Sequence, residues 1–456
     1  MEPVLLARLQ FAFTISFHII FPTLTIGLSA YMATLALMAQ ATGKEHYRRL
    51  ARFWTKIFAV SFAMGVVSGV VLSYELGTNW SRFSVAAGNV VGPLAGYEVL
   101  SAFFLEATFL SILLFGVNKV PRWLHSLSAV IVAIGTAISA FWILSANSWM
   151  NTPVGHEFRD GVAYPIDWYA IVFNPSFIYR LGHMLNASYL TAGFVVLAVG
   201  ARFLIAGRHM DEARTMLRMA IGLLCVLAPL QLLLGDLHGL NTLAHQPIKV
   251  AAMEAHWDSH QPGDFHIFAW PDETAELNRF AISIPRGASL ILTHDPAGRF
   301  SGLKDVPANS RPPVKPVFFA FRIMLAIGFV MIAITFAGAL LWWRNTLFTS
   351  HWYLRTIAQS WWIGFVAVLA GWVVTESGRQ PWIIYEIMRT DEASSPVPGA
   401  AIAVTLVLFV LVYGLVFSFG IYYINRLIAK GIERPLGEPP EFGPPLAAAM
   451  PLGRNA

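Results

Sequence analysis

The chain has 456 residues, of which 56% are hydrophobic and only 12% are charged. Soluble globular proteins carry about 25% charged residues, so this composition excludes an ordinary soluble protein and indicates one that crosses a membrane several times. The net charge of +5 comes from basic residues scattered over many loops, so we expect no nucleic-acid partner. The single cysteine, Cys225, excludes an internal disulfide and predicts a packed thiol.

Nine apolar runs are long enough, at about 20 residues or more, to cross the hydrocarbon core of a lipid bilayer as helices. They cover residues 11–38, 57–77, 94–116, 123–146, 181–205, 216–235, 317–343, 356–376 and 400–425. The first run is too long for the core of a cleavable signal peptide. We therefore predict an all-α integral membrane protein, a bundle of nine transmembrane helices. The predicted units are helices one to six in 1–235, a loop in 236–316, helices seven to nine in 317–435 and a tail in 436–456.

Basic residues gather in the odd-numbered connections and after the ninth span. They are Lys44, Arg48, Arg49, Arg52, Lys56, Lys119, Arg122, Arg202, Arg208, Arg214, Arg218, Arg344, Arg355, Arg426, Lys430 and Arg434. The positive-inside rule places these connections in the cytoplasm. The amino terminus is then predicted outside and the carboxyl terminus in the cytoplasm.

The connection 236–316 is the longest polar stretch and is broken by many prolines. It also contains aromatic residues of a type usually buried, including Trp257, Phe265, Trp270 and Phe280. Loops of this length are usually functional or disordered, and the aromatic content argues against disorder. We predict a folded extracytoplasmic loop between helices six and seven. The proline- and alanine-rich tail after Pro435 is predicted to be a mobile cytoplasmic end.

Four polar or sulfur-bearing side chains share one predicted depth near the outer face: His18, His183, Met324 and Glu376. Each has an ordinary structural reading when taken alone, such as a satisfied histidine or a Glu376 paired with Arg379. Imidazole, thioether and carboxylate are, however, the axial ligands that haem in a helix bundle requires. Their shared depth therefore favours a cofactor site.

Two carboxylates, Glu98 and Glu106, lie about two helical turns apart in the third span. A buried carboxylate in a membrane without a partner binds a proton, and a row of such groups can relay protons. The alternative is that each makes a structural hydrogen bond between helices.

These residues sit within motifs that resemble subunit I of the cytochrome bd family of bacterial quinol oxidases. The resemblance covers nearly the whole chain. Its motifs are Arg8-Leu-Gln-Phe followed by His18, Gly77-Thr-Asn-Trp80, Glu98 with Phe-Phe-Leu-Glu106, Asn174-Pro-Ser-Phe with His183, Gln246-Pro-Ile-Lys249 with Glu254, Phe321-Arg-Ile-Met324, and Gly378-Arg-Gln-Pro-Trp382.

The resemblance implies two haem b and one haem d. His183 and Met324 are expected to hold a low-spin haem b, and this pair of ligands raises the reduction potential. His18 and Glu376 are each expected to hold one high-spin haem, and which of them holds haem d stays open. Trp372 is expected to lie between the low-spin haem and the high-spin pair. In a cyanide-insensitive branch of the family, haem b replaces most of haem d, which is the alternative composition.

The resemblance also implies further site residues. Arg8, Arg322 and Arg379 are expected to pair with haem propionates, for which a planar guanidinium is suited. Glu98 is expected to contact a haem as well as to carry protons. The loop from residue 236 is expected to bind quinol through Lys249 and Glu254, with the carboxylate accepting a proton. Without the resemblance, those two loop residues read as a solvated pair.

The chain departs from some relatives in two ways. The quinol loop, at about 80 residues, is of the short type. Asn118 stands where some relatives have an acidic residue at the inner end of the third span, so Lys56 becomes the more attractive proton entrance.

We therefore predict an electrogenic quinol oxidase of the bacterial inner membrane. It oxidises quinol outside and reduces oxygen to water with protons drawn from the cytoplasm, which creates a membrane potential without pumping. Expected partners are quinol, oxygen, the lipid bilayer, a second integral subunit (subunit II) and a small single-helix subunit. The alternative from another class is a proton-coupled secondary transporter, whose repeats and paired broken helices are not evident in the sequence.

Overall fold

The computed structural model describes residues 2–433. Arg434 and the predicted tail 436–456 lie outside the described residues.

The first half of the chain forms long helices joined by short connections. They are α1 (Pro3–Thr42), α2 (Glu45–Thr78), α3 (Ser81–Glu98), α4 (Phe104–Phe115), α5 (Arg122–Asn151), α6 (Trp168–Val172), α7 (Phe177–Ile205) and α8 (Met210–His245). A short antiparallel hairpin of β1 (His156–Arg159) and β2 (Val162–Pro165) follows α5.

The second half begins with the loop domain and returns to long helices. The elements are α9 (Pro247–Glu254), β3 (Phe265–Asp272), β4 (Leu277–Ile284), α10 (Gly287–Thr293), α11 (Val314–Trp343), α12 (His351–Gln359), α13 (Ile363–Ser377), β5 (Trp382–Ile384), β6 (Met388–Arg389), α14 (Thr390–Ala393) and α15 (Gly399–Lys430). Short 3-10 turns cover Leu303–Asp305, Ala308–Ser310 and Ser360–Trp362.

Within the described residues, nine helical segments are long and apolar enough to cross a membrane, which confirms the predicted bundle. Several helices extend past the predicted limits. The first begins at Pro3 rather than at residue 11, and the sixth continues to His245 rather than ending at 235. A helix satisfies its own backbone hydrogen bonds, so it continues beyond the apolar layer where polar side chains meet the interface. The fifth segment likewise begins at Trp168 rather than at residue 181. His18 and His183 consequently lie deeper in their helices than the sequence indicates.

Three of the nine segments are not regular α-helix throughout. The fifth, Trp168–Ile205, is interrupted between α6 and α7. A π-helical turn, Val99–Phe103, joins α3 to α4 in the third segment, and the 3-10 turn Ser360–Trp362 joins α12 to α13 in the eighth. Both turns keep the chain helical while changing its winding.

The largest apolar core lies in the half of the bundle that contains the carboxyl end of α1. Its fully buried members include Leu28 of α1, Trp54 and Phe58 of α2, Leu197 of α7 and Leu217 of α8. Close approach of α1 and α7 depends on Gly27, where a Cβ would come within 2.5 Å of the Ala192 Cβ. Small residues at such crossings allow tight helix packing in membranes. The opposite half of the bundle is left to enclose a cavity.

The loop domain is folded against the amino-terminal end of α11. Its strands β3 and β4 pair as an antiparallel hairpin with two irregularities in register. Trp257, Ala269 and Leu303 form a small apolar core with Phe318 of α11. The Asn278 side chain links the pieces, because its Oδ1 accepts from the Trp257 Nε1 at 3.0 Å while its Nδ2 donates to a backbone carbonyl. This packing holds α9 over the mouth of the bundle.

Candidate functional site

A single cavity of about 2000 Å³ runs between the helices and reaches the loop domain. Every site residue predicted from the sequence lines it except Arg322. Those residues are Arg8, His18, Glu98, Glu106, His183, Lys249, Glu254, Met324, Trp372, Glu376 and Arg379. A site for one small ligand usually encloses about 300–1,000 Å³, so this cavity has room for more than one large group.

Three of the four predicted iron ligands face a glycine on a neighbouring helix. A Cβ at Gly69 would lie 3.2 Å from His18 Cε1, and one at Gly371 would lie 3.0 Å from Met324 Sδ. At Gly235 the distance to His183 Cε1 would be 3.4 Å. At each of these positions the absence of a side chain lets the neighbouring helix approach the ring or sulfur atom closely.

Both histidines are oriented by a neighbouring polar side chain. Nδ1 of His18 lies 3.0 Å from the Ser68 hydroxyl. The Gln231 amide of α8 lies 3.1 Å from Nε2 and 3.3 Å from Nδ1 of His183, and its Oε1 accepts from Asn186 Nδ2 at 2.6 Å. Hydrogen bonds of this kind fix the ring orientation of a metal-binding histidine.

Glu376 lies in the last turn of α13, where it is held from two sides. Asn147 Nδ2 donates to its Oε1 at 2.8 Å, and Arg379, one turn later, donates to its Oε2. Trp372 lies one turn earlier on the same helix, and its ring centroid is 6.5 Å from that of Phe11. The interfacial pairing of Glu376 with Arg379 that the sequence allows is therefore present, and it forms part of the cavity wall.

Lys249 is buried, with only 4% of its surface exposed, and is not a solvated loop residue. Its ammonium donates to Asn151 Oδ1 at 2.9 Å. Burial, together with the charges of Arg180 and Arg379, holds the pKa of Lys249 well below its ordinary value. Lys249, which the resemblance assigns to the quinol, extends from α9 and lines the same cavity as Glu376.

Glu254 and Arg322, which the resemblance assigned to quinol and to a propionate, form one ion pair at 2.6 Å. The guanidinium is enclosed by Phe265, Phe318 and Phe321, at 4.4–5.2 Å from the ring centroids. Burial raises the pKa of Glu254, and the Arg322 charge opposes that shift. Arg322 does not itself line the cavity, and its Nη1 is buried without a partner among the described residues.

The π-helical turn brings Glu98 and Glu106 onto one face of the third segment. Eight residues of regular α-helix would leave them about 80° apart, at 100° per residue. A π-turn absorbs one extra residue, which reduces the separation to about 20°. Ser139 donates to Glu98 at 2.7 Å, whereas Glu106 Oε1 has no partner within residues 2–433. Gly135 makes room for Glu106, since a Cβ there would lie 2.7 Å from its Cγ.

Two residues bear on the predicted proton entrance, Lys56 and Asn118. Lys56 forms an ion pair with Glu433 at 2.8 Å. Asn118 has a positive φ of 63° in the turn after α4. Asparagine adopts this backbone conformation more readily than most residues, so the turn accounts for Asn118.

Arg8 stands apart from the buried arginines because it is exposed. It lines the main cavity and also a smaller one of about 350 Å³ beside Gln380 and Pro381. Its position at the rim suits a group that projects out of the main cavity.

The donor set and the shape of the cavity fit haem. Imidazole, thioether and carboxylate groups line the cavity, and buried guanidinium nitrogens of Arg180 and Arg379 have no partner in the described part of the chain. Propionate carboxylates are the groups that such nitrogens bind best.

Comparison with known proteins decides the family. The family model for "Cytochrome bd terminal oxidase subunit I" matches residues 6–432. The chain belongs to this family. It is 33% identical over 446 residues to a cytochrome bd ubiquinol oxidase subunit 1 of Bacillus subtilis, covering 95% of each chain. It is 30% identical over 505 residues to a cytochrome bd-II ubiquinol oxidase subunit 1 of Escherichia coli, covering 95% of this chain and 98% of the relative.

The fold agrees with a solved member of the family. The bd oxidase structure from Geobacillus thermodenitrificans superposes with a TM-score of 0.87 at 30% identity, over 94% of this chain and 99% of that one. The chain is thus a multi-pass subunit of a haem-containing quinol oxidase of the bacterial inner membrane, which works with a second subunit. This finding excludes the secondary transporter.

Sequence reasoning missed the residues that support the site. Arg180 lies three residues before His183 and so shares its face of α7, a spacing that could have identified it. Gln231 is a polar residue inside an apolar span, which is also a usable signal. Asn147 and Asn151 are one turn apart on α5 and orient Glu376 and Lys249. No sequence signal connects these asparagines to their distant partners.

Proposed function

We propose that this chain oxidises quinol at the outer face and reduces oxygen to water, with protons for the water taken from the cytoplasm. The observation that carries the proposal is the continuity of one cavity. It extends from Glu254 and Lys249 under the loop domain to the four candidate iron ligands and on to Glu106.

The proposed cofactors are two haem b and one haem d. His183 and Met324 would hold the low-spin haem, and His18 and Glu376 would each hold a high-spin haem. When bound, the haems supply the electron transfer and oxygen binding that no side chain of this chain supplies. Trp372, which lines the cavity one turn before Glu376, would lie between the low-spin haem and the high-spin pair.

Glu254 is the proposed proton acceptor for quinol. Its Oε2 is occupied by Arg322, which leaves Oε1 to take a hydroxyl proton. Burial raises the pKa of this carboxyl, and a general base works best when its pKa approaches the working pH. Lys249 provides a second polar group beside the same site, held in place by Asn151.

Glu106 and Glu98 are the proposed carriers of protons toward the oxygen site. They share one helix face and interact electrostatically, and Ser139 supplies a hydroxyl next to Glu98. With the basic loops inside, Glu106 is the deeper of the two carboxylates, on the cytoplasmic side of the ligands, and Glu98 lies nearer the outer face. Proton uptake inside and release from quinol outside then separate charge without pumping.

The remaining proposals concern assembly. We place the amino terminus outside, the loop 236–316 outside as the quinol-binding domain, helices one to six in 1–235 and helices seven to nine in 317–435 in the membrane, and the tail 436–456 in the cytoplasm. Subunit II packs on the lipid-facing surface, and a small single-helix subunit joins the assembly.

Optical spectroscopy of the purified oxidase tests this proposal. The dithionite-reduced spectrum should show a low-spin haem b and high-spin haems, and quinol should drive oxygen consumption that forms water. A far-red chlorin band indicates haem d, and its absence indicates the haem b composition of the cyanide-insensitive branch. A preparation with full subunit content and no haem absorption would refute the proposal.

A further inference from the structure

Three cationic side chains converge on the cavity wall beside Glu376. Arg180 projects from α7 one turn before His183, Arg379 follows Glu376 by one turn, and Lys249 arrives from α9. Arg180 is 6% exposed and Arg379 is 3% exposed. All three act electrostatically on the Glu376 carboxylate.

The charges in this wall do not balance. Guanidinium groups remain protonated in proteins, so Arg180 and Arg379 contribute two positive charges whatever the state of Lys249. Glu376 supplies one negative charge, and Asn151, the acceptor for Lys249, is neutral. A buried cation without a partner is strongly unfavourable, so such a wall requires a further anion.

The free hydrogen-bond donors show what kind of anion fits. Arg379 uses one terminal nitrogen for Glu376, and its Nε and Nη1 are buried without a partner among residues 2–433. The Nε of Arg180 is likewise buried and unpartnered within that range. The free nitrogens are planar N–H donors, which match the two oxygens of a carboxylate.

We propose that Arg180, together with Arg379, binds a propionate carboxylate of the haem held by His183. This assignment rests on the proposed function. It adds a residue that the family resemblance did not supply, since the resemblance named Arg8, Arg322 and Arg379. Arg180 lies on the same helix face as His183, so one helix would provide both an iron ligand and a residue that binds the propionate.

The test is a potentiometric titration of the low-spin haem in the purified, complete oxidase carrying Arg180→Gln. Removing a positive charge beside a haem disfavours the reduced form. We expect the reduction equilibrium to fall by about tenfold or more, which is 59 mV for one electron. Arg202→Gln is the matched control, because Arg202 lies at the other end of α7 and donates to the backbone carbonyl of Ala358.

Two further measurements protect the test against trivial outcomes. Arg180→Lys keeps the charge, so its shift should be clearly smaller than that of Arg180→Gln; an equal shift would overturn the electrostatic explanation. The resonance Raman propionate bending band should move in Arg180→Gln, and a potential shift with that band unmoved would mean that a free anion occupies the wall, which contradicts the proposal.

Failure of this inference can be told apart from failure of the proposed function. If His183→Ala retains the low-spin band, the ligand assignment is wrong. If His183→Ala loses the band while Arg180→Gln leaves the potential and the Raman band unchanged at normal haem content, only the role of Arg180 is refuted.

Discussion

Replacing Glu106 with glutamine separates a proton-carrying role from a structural one. Oε1 of Glu106 makes no hydrogen bond to any described residue, so glutamine removes none at that atom. Interhelical hydrogen bonds in membranes contribute about 0.6 kcal/mol, and we expect the free energy of unfolding to change by less than this. Losing a proton-transfer group typically slows a reaction by about 100- to 10,000-fold. Oxygen reduction should therefore slow by at least about 100-fold at normal haem content.

The assay is single-turnover oxygen reduction by the pre-reduced oxidase, followed by optical spectra and by proton uptake. The matched control is Glu75→Gln. Glu75 is fully buried in α2 and bonded to the Thr14 hydroxyl at 2.6 Å, and it is not among the residues that line the cavity. Glu75→Gln should keep the rates of the unmodified oxidase. If Glu106→Gln also keeps them, with intact haem bands, the relay is refuted and Glu106 returns to a structural role.

The other predictions concern the iron ligands and the quinol end. Met324→Leu should abolish the low-spin spectrum and quinol oxidation while carbon monoxide still binds the chemically reduced high-spin site; a full low-spin band in this variant would contradict the ligand assignment. Gly371→Ala should shift the low-spin potential, because its Cβ would lie 3.0 Å from Met324 Sδ, whereas Gly328→Ala, with no atom within 4 Å of its Cβ, should not. Glu254→Gln should impair quinol turnover with all haem bands intact, and artificial donors should restore oxygen consumption; haem loss would count against a role limited to quinol. Asn151→Leu leaves the Lys249 ammonium without its acceptor, at a cost of about 1–3 kcal/mol in the free energy of unfolding. An unchanged denaturation midpoint in Asn151→Leu would show that this bond does not hold the lysine.

The number and type of helices could be predicted because hydropathy and helix length are local properties of the chain. Helix ends could not, since α1 and α8 continue past the apolar layer on backbone hydrogen bonds alone. The residue types of the site were also accessible, because a histidine or carboxylate in an apolar span has few ordinary reasons to be there.

The pairing of site residues was not accessible from sequence. Glu254 and Arg322 are 68 positions apart and meet only through the fold of the loop domain on α11. The eight-residue spacing of Glu98 and Glu106 indicates different faces of an α-helix, and only the local winding of the chain corrects this. The three-residue spacing of Arg180 from His183 is informative. Its role can be argued only from the structure, in which its Nε is buried without a partner among residues 2–433.

The π-turn at Val99–Phe103 also bears on how this span can change over evolution. Seven residues of regular α-helix and eight residues across a π-turn place two side chains in nearly the same direction and at nearly the same depth. A codon lost within this turn would straighten the helix without separating Glu98 from Glu106. The gain or loss of one residue in this turn can thus leave the carboxylate pair in place. If a relative lacks that residue, an alignment without a gap in this span would fail to match one of the two glutamates.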